Sequence, residues 1–153
     1  MSIVTADLDN TEHQQAILDL LDMYARDPMG GGSPLPAATR NTLIAGLRQQ
    51  PQAVILLACA DDRPIGLLIG FQGFSTFQAK PLLNIHDIAV VPAARGTGIG
   101  RKLLQEAERI SRQLGYGQIS LEVRIDNTVA QNLYKSEGYK DCDPPMWFWK
   151  KQL

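Results

Sequence analysis

The chain has 153 residues, of which 44% are hydrophobic and 20% are charged, and its formal net charge is −1. These values are typical of a soluble globular protein, and the length is that of one domain, so we expect a single domain over residues 1–153. The near-neutral charge argues against nucleic acid or a membrane surface as a partner.

No apolar run approaches the ~20 residues needed to cross a bilayer, and the first residues lack the basic and apolar regions of a signal peptide. A cytoplasmic location is therefore expected. Cys59 and Cys142 lie far apart in the sequence and form no Cys-x-x-Cys pair. This favours two reduced thiols over a disulfide or a zinc site, and we expect no bound metal.

The first part of the chain predicts two helices. A capping box at Thr11-Glu12-His13-Gln14 opens the first, whose apolar stripe starts at Ile17. Glycines and prolines from residue 27 to residue 34 end this helix and predict a mobile loop. A shorter helix follows and is closed by Pro51.

Three strands are expected next. Residues 53–60 form a short apolar run, and residues 61–64 resemble a turn. A long strand from Ile65 to Phe77 should pair with the first as a hairpin. A further strand is predicted from Leu82 to Val91.

The next helix is expected from about Ile99 to Leu114, because its apolar residues recur on one face, and Gly115 is placed to cap it. Residues 118–125 alternate polar and apolar side chains without a break. This pattern predicts a strand with one buried face.

The end of the chain predicts one more helix and one more strand. A second capping box, Thr128-Val129-Ala130-Gln131, opens the helix, and Gly138 ends it. An aromatic strand is expected from Met146 to Lys150. The order is strand, two helices, three strands, helix, strand, helix, strand, which is an α+β (mixed α/β) arrangement with one βαβ crossover.

The most informative segment runs from Ile88 to Leu104 and contains a strand end, a glycine-rich turn and a helix start. Free backbone N–H groups and the positive end of the helix dipole meet at such a turn, and glycines let an anion approach the backbone. Arg95 and Arg101 add positive charge. The turn therefore predicts a phosphate site.

Two familiar phosphate loops do not fit this turn. A P-loop needs Gly-Lys followed by Ser or Thr, whereas Gly100 is followed by Arg101 and Lys102. A dinucleotide fingerprint spaces its glycines as Gly-x-Gly-x-x-Gly, whereas Gly96, Gly98 and Gly100 alternate evenly. Repeated βαβ units are also missing, so a dinucleotide-binding oxidoreductase is disfavoured.

The remaining pattern is Arg-x-x-Gly-x-Gly, formed by Arg95, Gly98 and Gly100, and it resembles the pyrophosphate-binding signature of the GNAT acetyltransferase superfamily. The resemblance is densest from about residue 85 to residue 139. It implies the GNAT-type acyl-CoA N-acyltransferase fold, a mostly antiparallel twisted sheet with one parallel crossover and about four helices. A second segment with the family's spacing comprises Asn127, Ala130, Leu133, Tyr134, Gly138 and Tyr139.

The resemblance also implies a site for acetyl-coenzyme A. In the family, a bulge splays the strand before the turn, the pantetheine arm pairs with its backbone, and the turn binds the pyrophosphate. Lys135 is a weaker candidate for the outer phosphates. The implied coenzyme ligands are Ile88, Ala89, Val90, Arg95, Gly96, Thr97, Gly98, Ile99, Gly100, Arg101, Asn127 and Tyr134.

The implied reaction is transfer of the acetyl group to a primary amine by direct attack in a ternary complex. Tyr134 matches the tyrosine that serves as general acid for the departing thiolate. The amine must lose a proton, and Asp87 is our preferred base, with His86 or a chain of waters as alternatives. Adjacent strand residues point to opposite faces, so at most one of this pair should face the substrate.

The acceptor site is expected between the early helices and the long hairpin, and three phenylalanines there are expected to be core or wall residues. The candidates for the acceptor site are Tyr24, residues 27–33, Phe74, Thr76 and Phe77, and the expected core or wall residues are Phe71, Phe74 and Phe77.

Three questions stay open. The acceptor amine can belong to a small molecule or to a protein. A non-catalytic acyl-coenzyme A sensor is an alternative to an enzyme, although Tyr134 and Asn127 favour catalysis. Members of the family are often dimers, and the segment Trp147-Phe148-Trp149 suits either an interface or a core strand.

Overall fold

The computed structural model describes residues 1–153, with four α-helices packed around a five-stranded sheet. The strands are β1 Ser2–Thr5, β2 Val54–Ala60, β3 Arg63–Ser75, β4 Lys80–Val90 and β5 Gln118–Leu121. The helices are α1 Thr11–Arg26, α2 Ala37–Arg48, α3 Ile99–Gln113 and α4 Thr128–Ser136.

The strands follow one another across the sheet in the order β1-β2-β3-β4-β5. The first three pairings are antiparallel, and β4 pairs with β5 in parallel, with α3 as the crossover between them. The predicted mixed class, with one parallel βαβ unit, is confirmed. None of the helices combines the length and the apolar character needed to span a membrane.

Two hydrophobic layers lie on opposite faces of the sheet, because successive strand side chains point to alternate sides. In β2, Leu56 and Ala58 belong to the cluster that also contains the buried side chains of α3. Ile55 and Leu57 belong to the cluster with α1 and α2. A strand buried on both faces explains why residues 53–60 form an unbroken apolar run.

The hairpin of β2 and β3 closes through a two-residue turn. Ala60 pairs with Arg63, and the residues between them, Asp61 and Asp62, have φ values of 48° and 60°. Positive φ at both central positions matches the twist of the strands, and aspartate accepts this conformation more readily than most residues do.

Asparagines cap α1 and α4, one residue before each predicted capping box. The side-chain oxygen of Asn10 accepts from the backbone N–H of Glu12 at 2.8 Å. The side-chain oxygen of Asn127 accepts from the N–H of Ala130 at 3.1 Å. The prediction that Thr11 and Thr128 are the caps is wrong, because each is already the first helical residue.

Two predictions at the far edge of the sheet are also wrong. Strand β5 ends at Leu121 rather than near Ile125, because its pairing with β4 stops there. Residues 146–150 form no strand, since a strand requires a hydrogen-bonded neighbour and this segment has none. Its apolar side chains are exposed on both sides: Met146 77%, Trp147 86%, Phe148 67% and Trp149 87%.

Candidate functional site

Strands β4 and β5 separate from one another part of the way along the sheet. Their parallel register runs from Leu82 opposite Gln118 to Ile85 opposite Leu121 and then ends. Residues 87–90 of β4 pair only with β3, on the other side. One backbone edge of this stretch therefore faces a gap, bordered further on by the chain between β5 and α4.

A β-bulge marks the point at which the two strands part. In the pairing with β3, Asp87 lies opposite Ile69 and Ile85 lies opposite Gly70, so His86 is the extra residue. The bulge that the resemblance implied is therefore present, immediately before residues 88–90.

The bulge changes which way the following side chains point. Ile85 and Ile88 both pack with the cluster on the α3 face, so two residues rather than one separate them there. His86 and Asp87 consequently both lie off that face. The expectation that these neighbours must point to opposite sides is wrong, because it assumed unbroken alternation. The exposed His86 ring stacks edge-on against Phe71, with the ring centroids 5.1 Å apart.

Asp87 and Tyr24 are partly buried polar residues on the α1 side of the sheet. Burial raises the pKa of the Asp87 carboxyl, and the charge of His86 offsets this only in part. Burial also raises the pKa of the Tyr24 phenol, and the negative charges of Asp87 and Asp27 raise it further. Tyr24, near the end of α1, is therefore close enough to both carboxylates to respond to their charge.

Tyr134 approaches the gap from the opposite face of the sheet. It is only 8% exposed, and its ring packs in the α3-side cluster and lies 5.9 Å from the Tyr139 ring. Burial raises the pKa of Tyr134 to about 12, with smaller contributions from Tyr24 and Tyr139.

The glycine turn after β4 presents open backbone. Gly96 and Gly98 have φ values of 77° and 86°, and a Cβ added to either residue would meet nothing within 4 Å. Gly98 is the N-cap of α3 and has no side chain to cap it. The bond from the Lys102 N–H to the Gly98 carbonyl is the first of the helix, so the N–H groups of residues 99–101 have no helical acceptor.

Gly100 has a different reason to be small. A Cβ there would lie 3.1 Å from the Leu133 side chain, so this glycine lets α3 pack closely against α4. Thr97 also has a local role, because its hydroxyl donates to the Ala94 carbonyl at 2.7 Å.

Both arginines of the turn are already paired with carboxylates. Arg95 donates to Asp27 at 2.9 Å and, through Nε, to the Val90 carbonyl at 3.0 Å. Arg101 donates to Glu137 at 2.7 Å and thereby links α3 to the end of α4. The positive charge that the sequence places at the turn is therefore partly neutralised within the protein.

The expected acceptor region is only partly assembled. Phe71 packs against the α1-side cluster, in agreement with its expected role as a core or wall residue. Phe74 is 62% exposed and Phe77 is fully exposed, so neither is a core residue. Thr76, like Phe77, lies in the connection between β3 and β4. Tyr24 is the member of the predicted set that lies close to Asp87.

Sequence reasoning missed Arg124, which follows β5. Its guanidinium forms a two-bond ion pair with Asp126, at 2.9 and 2.7 Å, and its charge lowers the pKa of Tyr24 in partial opposition to the two aspartates. Its position in an alternating polar and apolar segment made it look like an ordinary solvent-facing side chain.

Comparison with known sequences identifies the family. The sequence model of the Acetyltransferase (GNAT) family matches residues 17–139. The chain is 42% identical over 77 residues to the N-alpha-acetyltransferase RimI of Mycobacterium tuberculosis, a match that covers 49% of this chain and 47% of that protein. It is 32% identical over 131 residues to the uncharacterized N-acetyltransferase YhfO of Bacillus subtilis, with 86% of each chain covered.

Solved structures share the whole architecture. A probable acetyltransferase superposes with a TM-score of 0.85 at 28% identity and covers 100% of this chain and 99% of its own. The aminoglycoside 6'-N-acetyltransferase AAC(6')-IG of Acinetobacter haemolyticus shares the fold, with a TM-score of 0.76, 22% identity and 99% of each chain covered. The chain therefore belongs to the GNAT acetyltransferase family, a family of acyltransferases.

Proposed function

We propose that the protein transfers the acetyl group of acetyl-coenzyme A to a primary amine by direct attack in a ternary complex. One observation carries the proposal: the unpaired edge of residues 86–90 leads directly into a glycine turn whose first helical N–H groups are free. An open strand edge followed by an anion site matches a ligand that has an extended arm ending in phosphates, because the arm can pair with the edge and the phosphates can bind the helix N-terminus.

The coenzyme would occupy both parts of this surface. The backbone of Ile88, Ala89 and Val90 would pair with the pantetheine arm, and residues 96–101 would surround the pyrophosphate. Asn127 lies at the start of α4, and its cap uses the side-chain oxygen, so the amide nitrogen remains a donor for the arm. Lys135 lies 3.8 Å from Asp141 and is a weaker candidate for the outer phosphates.

A backbone N–H on the open edge would stabilise the charge that develops on the thioester oxygen. Donors of this kind contribute about 3 kcal/mol in other acyl transferases. The residues of the edge are held by β3 on their other side, so such a donor would be fixed before the reaction begins.

Asp87 is the preferred base for the acceptor amine. An alkyl amine has a pKa of about 10.4 and must be deprotonated before it attacks. The raised pKa of Asp87 brings this carboxylate closer to the range in which a base works at neutral pH. His86, the bulge residue next to it, is the alternative, directly or through water.

Tyr134 would act on the departing thiolate as a hydrogen-bond donor. With a pKa of about 12, this phenol stays protonated at neutral pH. Complete transfer of its proton to a thiolate whose conjugate acid has a pKa of about 8.5 would cost roughly 5 kcal/mol. A strong hydrogen bond stabilises the leaving group without that cost.

The names of the relatives support an amine acceptor without selecting one. Streptothricin acetyltransferase of Streptomyces lavendulae is 39% identical over 77 residues, and the match covers 41% of that protein. An aminoglycoside N(6')-acetyltransferase and an N-alpha-acetyltransferase also match. The first relatives are matched over less than half of their length, so their substrates do not transfer to this chain.

A thiol-release screen tests the proposal. Acetyl-coenzyme A is supplied with grouped small amines and with peptides bearing free N-termini or lysines, and free thiol is measured over time. Acceptor-dependent release is expected for at least one group. Tight coenzyme binding without release across the panel would favour the sensor, and failure to bind the coenzyme would reject both functions.

A further inference from the structure

The Arg95 side chain joins the glycine turn to the loop that follows α1. Its Nη2 donates to Asp27 Oδ2 at 2.9 Å, and its Nε donates to the Val90 carbonyl at the end of β4 at 3.0 Å. Two of its donors are thus fixed between the last residue of the open strand and the residue that caps α1. A planar guanidinium is well suited to such a two-point bridge.

Asp27 is the centre of that loop. Its carbonyl accepts from the N–H groups of Gly30, Gly31 and Gly32 at 2.8 to 3.1 Å, and its Oδ1 accepts from the N–H of Met29 at 2.9 Å. The carboxylate is 19% exposed, whereas Arg95 is 47% exposed. A side chain that holds Asp27 therefore holds the whole of residues 27–33.

The loop packs against the end of α1, the helix that carries Tyr24. A Cβ on Gly30 would come within 1.9 Å of the Tyr24 carbonyl oxygen, so the loop backbone is in close contact with the end of α1. Tyr24 in turn senses the charges of Asp87 and Asp27. A displacement of the loop would alter the surroundings of Tyr24 on the side where the amine is expected.

We propose that Arg95 is a positioning residue, which holds the 27–33 loop at the acceptor side of the gap through Asp27, rather than a ligand of the coenzyme phosphates. Arg95 thereby ties the acceptor side of the site to the turn that would bind the coenzyme. The assignment of one side to the acceptor and the other to the coenzyme rests on the proposed function, but the effect of Arg95 on the loop can be measured in the protein alone.

Three single variants and two double variants test the link. D27N keeps the oxygen that accepts from Met29 and removes the charge that faces Arg95, and R95Q removes the partner. D22N is the matched control, because Asp22 accepts from the Leu35 N–H at 2.9 Å and so tethers the chain just beyond the loop to α1, and its ion pairs are with Arg26 and Arg40 rather than with the turn. The readouts are hydrogen exchange of the loop amides and the dissociation constant for coenzyme A.

The proposal predicts that D27N and R95Q each speed exchange of the Gly30 to Gly32 amides by about two- to fivefold, as expected for loss of a partly exposed ion pair. The double variant D27N/R95Q should equal either single variant, whereas D22N/R95Q should show the product of the two effects. D27N and R95Q should each change the coenzyme dissociation constant by less than about threefold. Once an acceptor is known, both should raise its KM more than they lower kcat.

Several outcomes would overturn the proposal. If R95Q weakened coenzyme binding tenfold or more while D27N left it unchanged, Arg95 would be a phosphate ligand. Additive effects of D27N and R95Q on loop exchange would show that the two residues act separately. Loop exchange is measured without coenzyme, so a protein that binds no coenzyme would reject the proposed function and leave this result standing.

Discussion

Gly98 and Gly115 share one backbone conformation at the two ends of helix α3. Their φ values are 86° and 72°, and a Cβ added to either would meet nothing within 4 Å. The two positions are therefore alike in backbone strain and in free space. They differ in their surroundings, since Gly98 precedes the free N–H groups of the turn and Gly115 follows the C-terminal end of the helix.

The first prediction compares alanine at these two positions. Gly98→Ala and Gly115→Ala should each lower the free energy of unfolding by about 1 kcal/mol, the cost of a left-handed residue with a Cβ. Only Gly98→Ala should also weaken coenzyme A binding, because its methyl group would occupy space that the pyrophosphate needs. Calorimetric titration measures the coenzyme dissociation constant, and denaturant unfolding measures the free energy of unfolding. Equal coenzyme affinity in the two variants would contradict the placement of the coenzyme.

The second prediction concerns Tyr134, which is buried, and Tyr139, which is partly buried; their ring centroids lie 5.9 Å apart and their pKa values are both raised to about 12. Tyr134→Phe should lower kcat by about tenfold or more, with little change in coenzyme affinity, because it removes the donor to the thiolate. Tyr139→Phe, the matched control, should leave kcat nearly unchanged. Equal loss of kcat in both variants would indicate a packing effect.

The third prediction concerns Asp87 and stability. Burial raises the pKa of this carboxyl above its value in the unfolded chain, so ionisation of Asp87 opposes folding. The protonated carboxyl therefore contributes stability that is lost as pH rises through the folded-state pKa. Asp87→Asn should therefore raise Tm at pH 7, and the gain should shrink as pH falls through the raised folded-state pKa and vanish below the unfolded value of about 4. If Asp87 is the base, kcat/KM should also fall by about 10² to 10⁴.

Asp126→Asn is the control for the pH dependence. Hydrogen bonds from Arg124 lower the pKa of the exposed Asp126 carboxyl, so ionisation of Asp126 favours folding. This contribution to stability is present above the unfolded-state pKa and is lost as pH falls through the folded-state pKa. Asp126→Asn should therefore not raise Tm at pH 7. Melting curves of both variants from pH 3 to pH 8 make the comparison, and a lower Tm for Asp87→Asn at neutral pH would refute the prediction.

The fourth prediction uses the tryptophans, both of which lie in the C-terminal segment at 86% and 87% exposure. Their fluorescence should have the long-wavelength maximum of solvated indole and should be quenched readily by acrylamide in the monomer. A blue-shifted, protected signal at all protein concentrations would show that the segment packs against its own chain. A signal that shifts with concentration would indicate packing against a second copy.

Most of the fold was predictable from local patterns. The amphipathic period of α3, the two-aspartate turn and the unbroken apolar run of β2 each report on a local environment that the residues themselves determine. The last strand failed for a physical reason: aromatic residues such as Trp147 and Trp149 favour strands, but a strand exists only with a partner, and propensity does not reveal whether one is present.

The parts of the site that depend on backbone geometry were predictable from the sequence, whereas the ion pairs of its side chains were not. Three alternating glycines correctly predicted an open turn before a helix, although Gly100 serves packing with Leu133. The partners of Arg95 and Arg101 lie 68 and 36 positions away, on other elements. No spacing rule in a single sequence reveals such contacts, so both guanidinium groups looked free.

The extra residue in β4 has a consequence for how this chain tolerates length changes. Ile88 and Val90 point into the α3-side layer only because His86 shifts the phase of the strand by one position. Removing that single residue would move Ile88 and Val90 to the α1-side face and Ala89 to the α3-side face, so a deletion at the fork of the sheet should be far more damaging than one at the exposed tip near Phe77.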